Sequence, residues 1–328
     1  MSSTNLLKVG VIGTGALGRH HARLYAQSPN AEMVGIFDVQ KSSAEKVGEE
    51  FGLKVYDSWQ ALAQDCDALS VAVPATLHAQ TVIPLLEMGK HVLVEKPIAS
   101  SVEDAVKMVE AARKNQMVLA VGHVERFNPA TDFLMQQSGD IRYLEARRLA
   151  AYPPARPGLP PRGTEVSVIL DLMVHDLDLV LALIDSEVVQ LDVNGSAPLS
   201  PQEDIATARI AFADGRCASV TASRLAHAPV RQLQVFQDDR YFELNYGAPQ
   251  GVEVVKADCG VAVKNLEFPA KNALADELED FISAVNRTRE SGKVCEAKVS
   301  GEHGLKVLRL AVEIEKAARN YNAKFNWK

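Results

Sequence analysis

The chain has 328 residues, too many for one ordinary hydrophobic core, so its length predicts two domains. Its 47% hydrophobic and 23% charged residues are typical of a soluble globular protein. A net charge of −7, with no block of lysine and arginine, argues against a nucleic-acid partner.

The start of the chain and its cysteines favour a cytoplasmic protein. The opening segment MSSTNLLKVGVIGTG lacks the charged region and the long apolar region of a signal peptide. The longest apolar stretch, Val168–Ile184, contains four ionisable residues, which argues against a membrane span. The four cysteines lie far apart with no CxxC or Cys–His spacing, so we expect reduced thiols and no metal site.

Up to about Gly122 the chain alternates apolar strands with helical patterns. The predicted strands are KVGVIG, EMVGIFD, ALSVAV, HVLVEK and MVLAVGH. Strands that are apolar throughout and separated by helices predict a parallel sheet covered on both faces. We therefore expect a doubly wound α/β domain of the Rossmann type over residues 1–122.

The pattern changes over residues 123–328. A helix, NPATDFLMQQSG, and a strand, IRYLEARRLAAY, lead into a proline-rich loop, Pro153–Gly163, and then into the apolar helix Val168–Ile184. Strand-like runs separated by turns such as FADGR and QDDR follow, and two helices finish the chain. We expect a second, α+β domain on an antiparallel sheet of five or six strands.

The segment VGVIGTGALGRHHARL carries a GxGxxG motif between a predicted strand and a predicted helix. Gly13 would make the tight turn, Gly15 would leave room for a pyrophosphate, and Gly18 would let helix and strand pack closely. Asp38 ends the second strand, 20 residues beyond Gly18, and completes a dinucleotide-binding fingerprint. The predicted phosphate loop is Gly13, Thr14, Gly15, Ala16, Leu17 and Gly18.

Asp38 indicates NAD as the cofactor rather than NADP. Its carboxylate would accept hydrogen bonds from both hydroxyls of the adenosine ribose and would repel a 2′-phosphate. The alternative is a doubly wound domain that binds another ligand.

Glu95-Lys96-Pro97 follows the fourth predicted strand, at the carboxyl edge of the sheet, where such folds bind ligands. The proline suggests an unusual turn there, such as a cis peptide. Taken alone, the motif is better explained as a solvated strand end.

The apolar helix VILDLMVHDLDLVLALI contains Asp171, His175, Asp176 and Asp178. At ~100° per residue, His175 lies roughly 40° from Asp171, and Asp178 lies roughly 20° the other way, so these three share a face. Nothing basic flanks them in the sequence. Two carboxylates beside one imidazole raise its pKa and orient it, which suits a proton acceptor. The alternative is that this face is merely exposed to solvent.

Together these motifs resemble the glucose–fructose oxidoreductase/inositol dehydrogenase/MocA family over essentially the whole chain. The resemblance rests on the phosphate loop, the ribose-binding acid, the Glu-Lys-Pro motif and a helical Asp-x-x-x-His pair followed by a further aspartate. The matching residues are Gly13, Gly15, Gly18, Asp38, Glu95, Lys96, Pro97, Asp171, His175 and Asp178.

The resemblance implies an NAD-dependent oxidoreductase whose catalytic residues are Lys96, Asp171 and His175. In that family Lys96 and His175 would flank the reacting carbinol next to the nicotinamide. The second domain would be an open, mostly antiparallel sheet whose free face forms a homodimer or homotetramer interface.

Further cofactor-binding residues follow from the same resemblance. The family often has Thr-Pro-Asn-x-x-His where this chain has VPATLH, so the asparagine is replaced by alanine. The cofactor-binding residues implied outside the phosphate loop are Asp38, Val73, Pro74, His78, Glu95 and Lys96.

The segments GHVERFNPA, VPATLH and DLMVHDLDL resemble a narrower branch that oxidises the 3-hydroxyl of UDP-N-acetylglucosamine. A UDP-sugar needs a grip for its diphosphate, and the forked donors of arginine suit one. An ion pair with a neighbouring acid is the structural alternative for Arg126. The candidate substrate-binding residues are Lys96, His123, Arg126, Asn128, Arg156, Arg162 and His175.

Two other functions stay open from the sequence. An enzyme of the same chemistry could act on inositol or another free sugar, since the catalytic residues do not separate these substrates. A sensor could bind NAD(H) without turnover. Retention of Lys96, Asp171 and His175 together argues against the sensor, which would need only the phosphate loop.

Overall fold

The computed structural model describes residues 6–137, 139–155, 158, 161 and 163–324 of the chain. The chain divides into two compact units. The first comprises Met1–Val124 and Asn272–Leu305, and the second comprises Glu125–Lys271 and Lys306–Lys328. The sequence predicted one boundary between two continuous domains, after residue 122. In the structure, residues 272–305 belong to the first unit.

A helix accounts for this return. Helix α8, Ala273–Ser291, contributes Leu278, Phe281, Ile282 and Val285 to the apolar core that contains the first strand, and each is at most 2% exposed. The sequence of the helix shows an apolar stripe. Periodicity alone does not indicate which core such a stripe covers.

Five parallel strands, numbered in chain order, form the sheet of the first unit. Its order is β2-β1-β3-β4-β5, so the winding reverses on the two sides of β1, and such a reversal is where doubly wound folds bind ligands. The last three strands are buried at every position because both faces of the sheet are covered. The strands are β1 (Leu7–Ile12), β2 (Ala31–Phe37), β3 (Ala68–Val71), β4 (His91–Glu95) and β5 (Leu119–Gly122).

Two helices of this unit begin directly after a serine that caps them. The hydroxyl of Ser58 accepts the amide hydrogen of Ala61, and the hydroxyl of Ser101 accepts that of Asp104. In addition to α8, this unit contains α-helices from the part of the chain before residue 124. They are α1 (Ala16–Gln27), α2 (Lys41–Phe51), α3 (Trp59–Asp65), α4 (His78–Glu87) and α5 (Val102–Asn115). A last helix, α9, runs over Gly301–Lys324.

The second unit is built on an eight-stranded sheet. Its strands are β6 (Ile141–Leu149), β7 (Val188–Ser196), β8 (Ile205–Phe212), β9 (Cys217–Ser223), β10 (Val230–Gln237), β11 (Arg240–Asn245), β12 (Gln250–Ala257) and β13 (Gly260–Glu267). The order is β13-β12-β11-β10-β6-β9-β8-β7, and only β6 and β9 pair in parallel. The predicted α+β class with a mostly antiparallel sheet is confirmed. The expected five or six strands are too few.

Strand β13 shows why the sequence predicted too few strands. Seven of its eight positions are exposed. An edge strand without a buried face need not alternate apolar and polar residues, so the usual sequence signal is missing.

The two faces of this sheet differ. One face carries Leu144, Leu233, Val235 and Phe242, which are fully buried in the core formed with the helices α6 (Pro129–Met135) and α7 (Val174–Leu183). On the opposite face the rings of Tyr143, Phe236 and Tyr241 pack against one another. No helix within the described residues is long and apolar enough to span a membrane.

Candidate active site

The phosphate loop follows β1 and enters α1 as the sequence predicts. Gly13 has a φ of +91°, which glycine adopts without strain. A Cβ on Gly18 would lie 1.8 Å from the carbonyl oxygen of Gly13, so only glycine permits this close approach of helix and loop. A Cβ on Gly15 would meet nothing within 4 Å. That open space, at the N-terminus of α1, is what an approaching pyrophosphate requires.

Asp38 is held in place at the end of β2. One carboxylate oxygen accepts the amide hydrogen of Thr14 at 2.6 Å and its hydroxyl at 3.0 Å, while the other accepts the amide hydrogen of Gln40 at 2.8 Å. The Thr14 hydroxyl also lies 2.9 Å from that of Ser43. These hydrogen bonds fix the orientation of the carboxylate, and a role in binding a ribose stays a prediction. The contact with Ser43 is not evident from the local sequence pattern.

A cavity of about 360 Å³ opens along the phosphate loop. Phe37, Val39, Trp59 and Leu77 contribute apolar walls that suit a flat aromatic ring. Five of the predicted cofactor-binding residues line it together: Gly13, Gly15, Asp38, Val73 and Pro74.

His78 is buried behind this cavity. Its Nε2 lies 2.9 Å from the carbonyl oxygen of Val73, and its Nδ1 lies 3.0 Å from that of Pro97. Burial holds the pKa of His78 below its usual value, although the surrounding carbonyl groups oppose this effect. The ring therefore lies between the loop after β3 and the loop after β4, and a role in cofactor binding through these loops stays a prediction.

Glu95 is buried and is not among the residues that line this cavity. Its carboxylate is 3.0 Å from Nε2 of His21 and accepts the amide hydrogen of Lys96 at 3.2 Å. Burial disfavours ionisation of Glu95, but the hydrogen bond from His21 and the charges of His21 and Lys96 outweigh it and lower its pKa. The Lys96–Pro97 peptide is cis, as the motif suggested.

The helix that carries the other candidate catalytic residues is not α-helical throughout. Ile169–Met173, which contains Asp171, is a π-helical turn, and the amide of Val174 donates to the carbonyl of Ile169. Such turns are rare in proteins, and those that occur often lie at functional sites. Helix α7 continues from Val174 and carries a half-buried His175. The angles predicted for a regular α-helix therefore do not apply across Asp171.

The two following aspartates have basic partners, although nothing basic flanks the cluster in the sequence. Asp176 is fully buried and accepts hydrogen bonds from Arg148 at 3.0 and 3.4 Å and from the hydroxyl of Tyr246. Asp178, also fully buried, lies 3.4 Å from a guanidinium nitrogen of Arg126. Both arginines come from other parts of the chain, so the local sequence does not show these pairs.

One sequence signal could have revealed Arg148. On β6 the residues of the core-facing side are Leu144, Ala146 and Arg148, and an arginine in such a row requires a buried acid. The same arginine donates to Glu125 at 3.0 Å. These ionic contacts tie α7 to the sheet and to the segment that carries Arg126.

The candidate substrate-binding residues have different surroundings. His123 is 1% exposed, and the Arg126 side chain is 12% exposed with Asp178 as an ion-pair partner. Asn128 caps α6 through the amide of Ala130 and donates to the carbonyl of Tyr246. Arg156 and Arg162 lie outside the described residues. For all five, substrate binding stays a prediction.

Comparison with known proteins agrees with this geometry in both parts of the chain. Residues 7–123 match the family described as "Oxidoreductase family, NAD-binding Rossmann fold", and residues 136–243 match the GFO/IDH/MocA C-terminal domain. A UDP-N-acetylglucosamine 3-dehydrogenase from Acidithiobacillus ferrooxidans is 33% identical over 96% of this chain and 98% of its own length. Its solved structure superposes with a TM-score of 0.88 over the same shares of the two chains.

A more distant relative has a different substrate in its name. The myo-inositol 2-dehydrogenase of Thermotoga maritima is 27% identical over 70% of this chain and 72% of its own length. Both family matches and the full-length relative confirm the resemblance drawn from the motifs. The chain therefore belongs to the Gfo/Idh/MocA family of NAD-binding oxidoreductases.

Proposed function

We propose that this protein is an NAD-dependent dehydrogenase that oxidises the 3-hydroxyl of UDP-N-acetylglucosamine to a ketone. The observation that carries the proposal is the full-length similarity to an enzyme named for that reaction, joined to retention of Lys96, Asp171 and His175. The oxidoreductase class follows from family membership. The substrate is the further step.

The residues of the first unit fit a dinucleotide. The open space at Gly15 and the amides at the start of α1 suit a pyrophosphate, and the clamped Asp38 suits the ribose diol. NAD, when bound, supplies the nicotinamide carbon that accepts a hydride from the substrate.

Asp38 should make the enzyme prefer NAD over NADP. We expect NAD to bind at least about tenfold more tightly, a difference of roughly 1.4 kcal/mol, because a 2′-phosphate would face the fixed carboxylate. Calorimetric titration with both nucleotides measures this preference. Equal affinities would mean that Asp38 does not contact the ribose. Asp38→Ser should reduce the difference between the affinities for NAD and NADP.

The chain's own part in the chemistry is proton transfer and stabilisation of charge. His175, half-buried and therefore reachable, would accept the proton of the substrate hydroxyl. Lys96 would donate a hydrogen bond to that oxygen and favour the developing alkoxide. Asp171 would orient the imidazole, with its proton on the nitrogen that faces away from the substrate.

Arginines support a sugar nucleotide over a free sugar. Arg126, Arg156 and Arg162 offer forked donors suited to a diphosphate, and inositol would have no use for several of them. Arg126 forms an ion pair with Asp178, and such a pair is the structural alternative for this residue.

Two other functions need a direct test. The relative named for inositol favours a cyclitol dehydrogenase as the second candidate. A sensor that binds NAD(H) without turnover would need no proton acceptor. The half-buried His175, which follows a π-helical turn, argues for a functional proton acceptor and therefore against the sensor.

A thermal-shift screen separates these candidates. With NADH present, UDP and UDP-N-acetylglucosamine should raise the melting temperature, because a ligand that binds only the folded state stabilises it. Myo-inositol and free sugars should not. Stabilisation by inositol with none from UDP would overturn the nucleotide substrate and leave the dehydrogenase class intact.

We also propose a cytoplasmic homodimer or homotetramer assembled through the free face of the second sheet. Val261 and Val263 are 66% and 63% exposed on β13, and the cluster of Tyr143, Phe236 and Tyr241 lies on the uncovered face. Exposed apolar surface of this kind is typical of an interface. Sedimentation of the purified chain as a monomer would contradict the proposal.

A further inference from the structure

The last residue of the proline-rich loop, Gly163, lies directly against Asp171. A Cβ on Gly163 would be 2.6 Å from Oδ2 of Asp171 and 3.3 Å from its Cγ. Real side chains do not approach a carboxylate that closely, so a larger residue would force Asp171 to move. Gly163 also has a φ of +84°, in the left-handed region that favours glycine.

Arg224 fixes the backbone of Gly163 through a hydrogen bond to its carbonyl oxygen. It is 3% exposed, and its guanidinium donates to the carbonyl oxygens of Gly163 at 2.5 Å, Val166 at 2.9 Å and Glu203 at 2.7 Å. Its Nε donates to Asp204 at 3.0 Å. A planar guanidinium meets these acceptors in fixed directions, and the compact ammonium of lysine does not.

The acid that anchors Arg224 is itself fixed. Asp204 is fully buried, and its other carboxylate oxygen accepts the amide hydrogens of Leu199 at 2.7 Å and Ser200 at 2.9 Å. The position of Gly163 is thus set by a buried ion pair with partners on several segments of the second unit.

We propose that Gly163 and Arg224 are positioning residues for Asp171. The inference rests on the proposed function, in which Asp171 orients the imidazole of His175. Gly163 limits how far the Asp171 carboxylate can move toward the loop. Arg224 fixes the position of Gly163 and therefore the position of that limit. Both act through Asp171, and neither is a catalytic residue.

Gly163→Ala tests the contact, with Gly215→Ala as a matched control. Gly215 lies in the turn between β8 and β9 with a φ of +87°, and a Cβ there would meet nothing within 4 Å. Both glycines have a positive φ that strains an alanine, but only Gly163→Ala displaces Asp171. We expect Gly163→Ala to lower kcat by about 10- to 100-fold with an unchanged Kd for NAD, and Gly215→Ala to keep wild-type turnover.

A double-mutant cycle distinguishes positioning from general damage. Asp171→Ala removes the side chain that the new Cβ would strike, so adding Gly163→Ala to it should cost no further turnover. Arg224→Lys should lower kcat in the wild-type background and not in the Asp171→Ala background. If Gly163→Ala does not fold, the cycle with Arg224→Lys decides the matter.

The results separate this inference from the proposed function. If Asp171→Ala is impaired while Gly163→Ala matches Gly215→Ala, the positioning role is wrong and the proposed function stands. The positioning role is also wrong if losses multiply in the double variant. Wild-type turnover by Asp171→Ala would overturn the role of Asp171 and this inference together.

Discussion

Replacing His175 by alanine is expected to lower turnover by about two to four orders of magnitude, the usual contribution of a general base. His175 is the half-buried imidazole at the start of α7, directly after the π-helical turn that carries Asp171. Without it the proton of the substrate hydroxyl has no positioned acceptor. Affinity for NAD should stay near the wild-type value, because the phosphate loop belongs to the first unit.

Steady-state kinetics and calorimetric titration with NAD measure these two quantities. His227→Ala is the control, since His227 is exposed and lies outside the predicted site. If His175→Ala keeps wild-type turnover, His175 is not the proton acceptor and α7 has only a structural role. Equal loss of turnover and of NAD affinity would indicate damage to the fold instead of loss of a proton acceptor.

Alanine at Gly15 and at Gly18 should impair NAD binding for different reasons. The new Cβ at Gly18 would lie 1.8 Å from the carbonyl oxygen of Gly13, so we expect the protein without ligand to lose about 3 kcal/mol or more of unfolding free energy. The new Cβ at Gly15 meets nothing within 4 Å, so its unfolding free energy should change by less than about 0.5 kcal/mol.

Both variants should bind NAD at least about tenfold more weakly, a loss of roughly 1.4 kcal/mol or more. Chemical denaturation without nucleotide and calorimetry with NAD separate fold from binding. Gly52→Ala is a control for NAD affinity only, since Gly52 also faces open space and caps α2, but its φ of +67° makes alanine strained there. Unchanged NAD affinity in Gly15→Ala would mean that the pyrophosphate does not approach this glycine.

The sequence predicted the features that depend on neighbouring residues. The phosphate loop, the strand that precedes it and the position of Asp38 follow from glycine spacing and apolar runs, and the structure has them within a residue or two. The Glu-Lys-Pro turn follows in the same way. Each of these features is determined over a few consecutive residues, which is why local pattern suffices.

The features that the sequence did not predict depend on residues far apart in the chain. Arg148 and Arg126 pair with Asp176 and Asp178 across 28 and 52 residues, and Arg224 reaches Gly163 across 61. Such pairs form only after the strands and helices have packed. The π-helical turn is a further case, because the residues of Ile169–Met173 fit a regular α-helix equally well.

The most direct test of the central claim follows the hydrogen at carbon 3 of the substrate. The protein is incubated with NAD and with UDP-N-acetylglucosamine carrying deuterium at that carbon, and both NADH and the sugar nucleotide are examined by mass spectrometry. We predict that deuterium appears in NADH, that the reaction is slower than with ordinary substrate, and that the product is the 3-keto sugar nucleotide. Failure to form NADH from UDP-N-acetylglucosamine, in a preparation that oxidises myo-inositol, would contradict the proposed substrate.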